Sequence, residues 1–389
     1  MSGKVTTEAW VLHKGSFDKG EQRPHERLKL ETLTFDDIAD DEVLVEPIYG
    51  CWESNMSHAL ERLPVDICLQ RNEEKVVLGN AGVVRVLKVG SAVSDLAEGN
   101  HCIVFANGQW DKHGYVVKVL AYDAPNTLGV LARRTKMHHK NLIPIPKDTP
   151  YSLKQWAAFS LRFVTAWANW RVAHSAWRIQ MADTPPEETY VWGWGGGSTL
   201  AELMLAKAFG CKTAMLASTD DRLAHIRNLG ITAIDRREFP GLEFNPDMAG
   251  SDASQYGRYR NAERKFLKSV MEHTNGEGVS IFIEYIGTPV FRATLKALSR
   301  QGVLTTAGWK CDMKTSIMRA VECINRHTHV HTHYAKYSEG LDAVQYAGAS
   351  RWMAPFEPCQ YDWEDIPKLA FDYTAGNTQS YFPLFAINP

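Results

Sequence analysis

The segment Val191–Ser198 has the sequence VWGWGGGS and separates two stretches of different character. Residues Thr189–Trp192 are apolar and typical of a buried strand, and Leu200–Phe209 is typical of a helix. A glycine-rich turn between a strand and a helix lets a dinucleotide pyrophosphate approach free backbone N–H groups and the positive end of the helix dipole. The segment therefore predicts a Rossmann-type dinucleotide site, and a tight strand–helix turn without a ligand is the alternative.

Each residue of this turn has an expected part in binding. Gly193 permits the tight turn, and Gly195 and Gly196 carry no side chain that would keep a pyrophosphate from the backbone. Ser198 stands where the third glycine of the fingerprint usually lies. The predicted pyrophosphate-binding residues are Gly193, Gly195, Gly196, Gly197 and Ser198.

The next strand ends in the small residues Ala217-Ser218-Thr219. At this place NAD enzymes put an acidic residue on the ribose 2′-hydroxyl, whereas small hydroxyl side chains leave room for a 2′-phosphate. Arg222 can add positive charge, and we interpret Asp220 and Asp221 as the start of the following helix. We therefore predict NADPH, bound by Ser218, Thr219 and Arg222. The alternative is NADH, with Asp220 or Asp221 on the ribose.

Strands and helices alternate through the second half of the chain. The strand-like segments are Thr189–Trp192, Lys212–Ala217, Val279–Tyr285 and Gly302–Ala307. Helices of about ten residues between them indicate an α/β fold with a doubly wound parallel sheet. The polar stretch from Arg236 to Ala262 is expected to be an insertion or a long loop.

Residues 1–150 are β-rich instead. Val43–Tyr49 and Ala81–Gly90 are strand-like, and turn residues separate such segments. A helix is expected to begin near Leu153, with Ser152 as its N-cap. The apolar tail Ser380–Ile387 predicts a final strand.

Composition disfavours several classes of function. The chain has 389 residues and a net charge of -2, without the basic excess of a general nucleic-acid or acidic-membrane binder. No apolar run reaches the ~18 residues that span a bilayer, and no signal peptide is readable. The seven cysteines include no Cys-x-x-Cys pair. We therefore expect a cytoplasmic protein that binds neither nucleic acid nor membrane.

Three further segments resemble the medium-chain dehydrogenase/reductases. Thr165-Ala166-Trp167 looks like the threonine-containing turn beside the nicotinamide, and Glu284–Gly287 and Thr306–Gly308 look like the two strand ends that line it. The resemblance covers nearly the whole chain. It implies a GroES-like catalytic domain at 1–155, completed by 335–389, and a Rossmann NADPH-binding domain at 156–334. It also implies that Thr165, Gly287 and Gly308 contact the cofactor.

Within that superfamily the chain is most similar to the crotonyl-CoA carboxylase/reductases and related enoyl-thioester reductases. The segments that carry this likeness are Gly230–Phe239, Lys265–Lys268, His331–Ala335, Glu357–Cys359 and Trp363–Pro367. The resemblance implies hydride transfer from NADPH to an α,β-unsaturated acyl thioester, in a homodimer or homotetramer. The alternatives are a zinc-free quinone or carbonyl reductase and a cofactor-binding module without turnover.

Two departures from the family pattern bear on the chemistry. Zinc enzymes of the superfamily hold the metal with a Cys, a Gly-His-Glu element and a second Cys. Here Cys51 stands alone, because the other two places read Gly79-Asn80-Ala81 and Phe159–Arg162. One cysteine cannot make a tetrahedral site, so no metal is expected. The carboxylating enzymes carry an asparagine near the segment Cys51–Glu53, whereas this chain reads CWESN from Cys51 to Asn55. Asn55 could take that place only if the register of the loop shifts, so carboxylation is doubtful.

The resemblance also indicates catalytic residues. The predicted set is Cys51, Glu53, Thr165, Glu284 and His333. Tyr49, Cys51, Glu53 and His58 lie on the loop expected to face the nicotinamide, and any of them could supply the proton that completes a double-bond reduction. Packing for Thr165 and anchoring for Glu284 are the structural alternatives. His327, His329, His331 and His333 would share one face of a strand, and a solvated or interdomain face is favoured over a metal site.

Overall fold

A computed structural model describes residues 3–15, 23–248, 253–308, 310–311, 319–359 and 361–389. The chain forms two compact units: the N-terminal unit, Met1–Val164 with Ala335–Pro389, and the Rossmann unit, Thr165–Tyr334. Their boundary lies within a long helix, α3 (Leu153–Gln180), so that the Rossmann unit begins at Thr165 and not at the expected residue 156. α3 begins at the predicted residue, where Ser152 Oγ accepts a hydrogen bond from the Gln155 N–H at 3.3 Å. No described helix is long and apolar enough to cross a membrane.

Antiparallel strands build the N-terminal unit. Its strands are β1 (Lys4–His13), β2 (Leu28–Asp36), β3 (Glu42–Cys51), β4 (Lys75–Val77), β5 (Gly82–Val89), β6 (His101–Val104), β7 (Asn107–Trp110), β8 (Val116–Val119), β9 (Thr135–His138), β10 (Leu142–Pro144) and β17 (Leu384–Ala386). They form a sheet in the order β2-β1-β4, a larger sheet in the order β10-β6-β5-β3-β17 with β9 also on β3, and the pair β7-β8. The helices are α1 (Ser54–Glu61), α2 (Ile67–Arg71), α8 (Tyr337–Ala349) and α9 (Ile366–Ala375).

Alternation along the strands creates the core of this unit. Val43 and Val45 of β3 and Val84 and Val86 of β5 are buried in one hydrophobic cluster, as the period of two predicts. The C-terminal tail ends in β17, which pairs with β3 so that Leu384 lies opposite Cys51. The tail therefore lies beside the segment in which catalytic residues are expected.

The Rossmann unit contains one parallel sheet with helices. Its strands are β11 (Tyr190–Trp194), β12 (Lys212–Ala217), β13 (Thr232–Asp235), β14 (Val279–Glu284), β15 (Leu298–Thr306) and β16 (His329–Thr332). They are ordered β13-β12-β11-β14-β15-β16, which is the dinucleotide-binding order 3-2-1-4-5-6. The helices are α4 (Gly197–Ala208), α5 (Asp220–Asn228), α6 (Ala253–His273) and α7 (Thr288–Ala297). The predicted α/β class with a doubly wound sheet is confirmed.

Two local predictions differ from the structure. The stretch 236–262 was expected to be a loop, but its part from Ala253 onward belongs to the helix α6; residues 249–252 lie outside the described part. Tyr259, Ala262 and Phe266 are buried at helical spacing, which explains why this charged segment is helical. The histidines do not form a four-residue strand face, because β16 includes only His329 and His331.

Candidate functional site

The phosphate loop is the turn Gly195-Gly196 between β11 and α4. Gly195 has a φ of +135°, and a Cβ there would lie 2.5 Å from Thr199 Oγ1. Gly196 is exposed and has no positive φ, and a Cβ on it would meet no atom within 4 Å. Gly196 thus presents open backbone at the start of a helix, which fits the approach of a pyrophosphate.

Thr199 is a residue of this turn that the sequence analysis missed. It is fully buried, and its hydroxyl donates to the Trp194 carbonyl at 2.8 Å. A Cβ on Gly193 would lie 2.3 Å from Thr199 Cγ2. The close approach of helix and strand therefore occurs at Thr199, while Ser198 is half-buried on the first turn of α4. Thr199 lies one residue after the fingerprint Val191–Ser198, so the fingerprint positions did not identify it.

The end of β12 was expected to hold the 2′-phosphate. Ser218 and Thr219 are exposed, and Arg222 is half-buried on the first turn of α5. Thr219 is the N-cap of α5, and Asp220 and Asp221 follow in its first turn, as the interpretation of a helix start requires.

A second cation stands beside these residues. Arg237 follows β13 and donates to Asp220 Oδ1 at 2.5 Å and to Asp235 Oδ2 at 2.7 Å. The side chain is half-exposed and binds these carboxylates through Nε and Nη2, which leaves Nη1 for a ligand at the end of the sheet where the 2′-phosphate is expected. Sequence reasoning overlooked Arg237 because it lies well beyond the fingerprint, after the next strand.

Glu284 ends β14 and organises the turn that follows it. Its Oε1 accepts hydrogen bonds from the N–H groups of Ile286 at 2.5 Å and Gly287 at 2.7 Å. Burial raises the pKa of this carboxyl to about 7, although the two N–H groups act in the opposite direction. Gly287 has a φ of +104° and caps α7. The contacts of Glu284 thus fix the shape of a strand end that resembles a nicotinamide site.

The remaining predicted residues of the Rossmann unit lie at its boundary and at strand ends. Thr165 is half-buried on α3. Gly308 follows β15, where its carbonyl accepts a hydrogen bond from the Thr306 hydroxyl at 2.8 Å. His333 follows β16, whereas the neighbouring His331 is 2.8 Å from Thr305 Oγ1. Burial lowers the pKa of His331 to about 4, so this imidazole is neutral at ordinary pH.

A buried cluster in the N-terminal unit joins two of the predicted catalytic residues. Arg162 of α3 donates from Nη1 to Cys51 Sγ at 2.6 Å and from Nη2 to the Trp52 carbonyl at 2.7 Å. The same Nη1 lies 2.8 Å from Glu53 Oε1. Arg162 is 4% exposed and Glu53 6%. The structure therefore brings Cys51 and Glu53 together on a cation that the sequence analysis did not identify.

The two acids of this cluster differ in strength. Burial raises the pKa of the Cys51 thiol to about 12, so the thiol is neutral. Burial also raises the pKa of Glu53 to about 7, while Arg162 acts in the opposite direction. Glu53 Oε1 is buried without a hydrogen bond despite the nearby guanidinium. A buried carboxyl that titrates near neutral pH is suited to proton transfer.

The donor set of this cluster does not fit a catalytic zinc ion. A guanidinium lies on Cys51 Sγ, and a cation there takes the place of a metal ion. Asn80 offers an amide where zinc enzymes have histidine, and Ser160 is committed to the N–H of Gly82 and the carbonyl of Ala157. Within the described ranges, no three His, Cys, Asp or Glu side chains are grouped as a metal site.

Comparisons with known proteins identify relatives of the chain. It is 23% identical over 322 residues to a crotonyl-CoA reductase of Streptomyces avermitilis, a match that covers 79% of this chain and 67% of that enzyme. The match to a crotonyl-CoA reductase of Streptomyces collinus is 23% over 305 residues, covering 75% and 63%. The chain thus spans about two thirds of the length of these relatives. No protein-family profile matches it.

Solved structures give the same picture. A 2-octenoyl-CoA carboxylase reductase, solved with NADP and 2-octenoyl-CoA, superposes with a TM-score of 0.77 at 20% identity, covering 99% of this chain and 88% of that one. A crotonyl-CoA carboxylase/reductase solved with NADP superposes with a TM-score of 0.77 at 19% identity, covering 98% and 95%. An NAD-dependent alcohol dehydrogenase gives a TM-score of 0.73 at 18% identity, covering 97% and 99%.

These findings confirm the resemblance that the fingerprint and the strand ends predicted. The NADP found in two of the solved neighbours is the cofactor type expected from the end of β12. The chain has the fold of the medium-chain dehydrogenase/reductases, and its sequence is similar to those of two crotonyl-CoA reductases.

Proposed function

We propose that this protein is an NADPH-dependent reductase of an α,β-unsaturated acyl thioester carried on CoA or a carrier protein. The observation that carries the proposal is the open phosphate loop at Gly196 in a chain related to crotonyl-CoA reductases over most of its length. In this proposal residues 156–334 form the cofactor-binding domain. Residues 1–155, completed by 335–389, form the GroES-like catalytic domain.

The cofactor would be held by backbone and small side chains. Gly195, Gly196 and the N-terminal N–H groups of α4 would bind the pyrophosphate, and Ser218, Thr219, Arg222 and Arg237 would bind the 2′-phosphate. Gly193 and Gly197 would allow the approach, with Ser198 at the helix start. Thr165, Gly287 and Gly308 would line the nicotinamide, beside Glu284 and His333. When bound, NADPH supplies the hydride.

Glu53 is the proton donor in this proposal. Reduction of an enoyl thioester adds hydride at the β-carbon and leaves an enolate that must be protonated at the α-carbon. Burial raises the pKa of Glu53 to about 7, whereas the pKa of about 12 makes Cys51 too weak an acid. Arg162 holds the carboxyl in place and stabilises the carboxylate that remains after the proton has been transferred.

Reduction without carboxylation is proposed, although the solved relatives include carboxylating enzymes. The support is the segment Cys51–Asn55, where the chain has a thiol and a carboxyl committed to Arg162. The acid at Glu53 would quench the enolate with a proton.

A homodimer or homotetramer in the cytoplasm completes the proposal. The outer edge of β16 pairs with no further strand of the described chain, which leaves it open to a second copy. All seven cysteines are free thiols, as suits a reducing compartment.

The test is a product analysis. The purified protein is incubated with NADPH and a panel of enoyl-CoA esters, with and without bicarbonate, and products are identified by mass spectrometry. We expect saturated acyl-CoA in both conditions. A carboxylated product that requires bicarbonate would overturn the proposal of simple reduction. Turnover of quinones or aldehydes alone would support a zinc-free quinone or carbonyl reductase instead, and NADPH binding without turnover would support a non-catalytic module.

A further inference from the structure

Five polar side chains form a hydrogen-bonded chain in the Rossmann unit beside the phosphate loop. Their positions are Glu202 on α4, Asn169 on α3, Tyr285 after β14, Thr305 on β15 and His331 on β16. Glu202, Asn169 and Thr305 are completely buried. The proposed hydride transfer assigns no role to the carboxyl of Glu202, yet a buried carboxyl is costly unless it is satisfied.

The hydrogen bonds all run toward Glu202. Tyr285 donates its hydroxyl to Glu202 Oε2 at 2.9 Å, and Asn169 Nδ2 reaches the same oxygen at 3.1 Å and the phenol oxygen at 2.9 Å. Thr305 donates its single hydroxyl hydrogen to Asn169 Oδ1 at 2.8 Å. His331 Nε2, 2.8 Å from Thr305 Oγ1, must therefore be the donor in that contact.

These hydrogen-bonded side chains adjoin the phosphate loop. A Cβ on Gly195 would lie 3.5 Å from the Tyr285 Cβ. Glu202 is in the second turn of α4, about 7.5 Å along the axis from the first residue of that helix. A pyrophosphate on the loop would thus lie close enough to the carboxyl for their charges to interact through protein rather than through water.

Among these five hydrogen-bonded side chains, Glu202 is the one whose charge can change near neutral pH. Burial raises its pKa to about 8, and the hydrogen bonds from Asn169 and Tyr285 act in the opposite direction. The pKa of His331 is lowered to about 4 and that of Tyr285 is raised well above its usual value, so both stay neutral. Asn169 and Thr305, from α3 and β15, do not ionise. Burial raises the pKa of the nearby Glu284 of β14 to about 7, but its carboxylate accepts a hydrogen bond from the Gly287 N–H in the turn that follows it.

We propose that Glu202 is a further residue of the dinucleotide site, which takes up a proton when the pyrophosphate binds above it. The proposal rests on the proposed function only in that NADPH is the ligand. A negative charge about 12 Å away at an effective dielectric constant of about 20 favours the neutral carboxyl by about tenfold. Bound nucleotide and ionised Glu202 therefore oppose each other, and the affinity for NADPH falls as pH rises through the pKa of Glu202.

Proton uptake can be measured on the unmodified protein. NADPH is titrated calorimetrically at about pH 8 in two buffers of different ionisation enthalpy, and the difference gives the protons bound per nucleotide. We expect uptake of about 0.4 proton per NADPH, because Glu202 is already protonated in half of the free protein molecules at this pH. Binding without proton uptake would overturn the inference and leave the cofactor proposal standing. No binding at any pH would overturn the cofactor proposal and this inference with it.

The variant Glu202→Gln assigns the proton. Wild-type affinity, measured by NADPH fluorescence, should fall about sevenfold between about pH 7 and about pH 9.5. Glu202→Gln should bind as tightly as the wild type at the lower pH and lose this dependence. Glu263→Gln, a matched control at a buried carboxyl paired with Lys296, should keep it. If Glu284→Gln and not Glu202→Gln abolishes the dependence, the proton belongs to Glu284 and the inference is wrong.

Discussion

The Arg162 guanidinium donates to Cys51 Sγ across 2.6 Å, although the two residues are 111 positions apart. In zinc enzymes of this fold a cysteine at this place binds the metal, as the family resemblance implies. Here the same sulfur faces a permanent organic cation, and Glu53 lies beside it. Positive charge is thus retained at this end of β3, but a guanidinium has no open coordination position. It can position an acid but cannot polarise a substrate oxygen as a metal does.

Removing this cation should destabilise the N-terminal unit. Arg162→Met leaves the buried Glu53 without its partner, and we expect the free energy of unfolding to fall by about 3 kcal/mol. The double variant Arg162→Met/Glu53→Gln should recover a large part of that loss, because no buried charge remains. Urea denaturation of the three proteins measures the effect.

The control for this prediction is the exposed pair of Arg85 with Glu46. Arg85→Met should cost less than about 1 kcal/mol. If Arg162→Met were as harmless as the control, the buried cluster would not have the structure described.

The two acids of the cluster should have different effects on turnover. Glu53→Gln removes the proton donor and should lower kcat by about 10²–10⁴-fold while NADPH affinity stays unchanged. Cys51→Ser should stay within about tenfold of the wild type, because the neutral thiol is too weak an acid. The variants are compared by NADPH oxidation with an enoyl-CoA. A loss with Cys51→Ser as large as with Glu53→Gln would contradict the assignment.

The same carboxyl gives a pH dependence with a definite sign. The donor must be protonated, so kcat/KM should fall as pH rises above about 7, the pKa to which burial raises Glu53. Arg162→Met removes the group that opposes this rise, so the alkaline limb should move to higher pH in the activity that remains. A limb that moves to lower pH, or does not move, would be inconsistent with an Arg162-held acid.

The phosphate loop and the cluster differ in how far sequence could predict them. The loop is local: a strand, glycines and a helix follow one another, so spacing alone predicted the turn at Gly195-Gly196. Arg162 approaches Cys51 only after β3 and α3 have packed together, and nothing in the local sequence of α3 marks it as a ligand for a thiol. The five hydrogen-bonded side chains from His331 to Glu202 come from five separate parts of the fold, so the periodicity of any one segment could not predict their contacts.

The helix α6 shows a different limit. Its residues 253–262 are mostly polar, which suggested a loop, and only the four-residue spacing of Tyr259 and Glu263 with the later Phe266 and Val270 reveals the buried face. Glu263 can be buried within that face because the Lys296 ammonium pairs with its carboxylate at 2.5 Å. A buried charge with a distant partner disrupts the apolar pattern on which the prediction depends.

Nucleotide binding should be lost when a side chain is placed on Gly196. Gly196→Val puts a branched side chain into open space at the start of α4, where the pyrophosphate would approach, so the fold should survive. The affinity for NADPH should fall by about tenfold to a hundredfold or more. Gly195→Val, the obvious choice from sequence, is a poorer test because a φ of +135° strains any side chain there.

The control for Gly196→Val is Gly257→Val on α6, where a Cβ also meets no atom within 4 Å. Cofactor fluorescence and far-UV circular dichroism are measured for both variants. A folded Gly196→Val protein with wild-type NADPH affinity would refute the placement of the pyrophosphate on this loop.

Selection of NADPH over NADH should depend on Arg237. Its guanidinium is held by Asp220 and Asp235 at the end of β12 and β13, with donors left for a 2′-phosphate. Arg237→Ala removes a charge-assisted contact and should weaken NADPH binding by about ten- to a hundredfold, with little effect on NADH. Arg264→Ala, at an exposed arginine of α6, should change neither affinity.

Titration of each protein with both cofactors tests this prediction. An equal loss of affinity for NADPH and NADH would mean that Arg237 only supports the fold of this edge of the sheet. Tighter binding of NADH by the wild type would instead make Asp220 or Asp221 the ribose ligand.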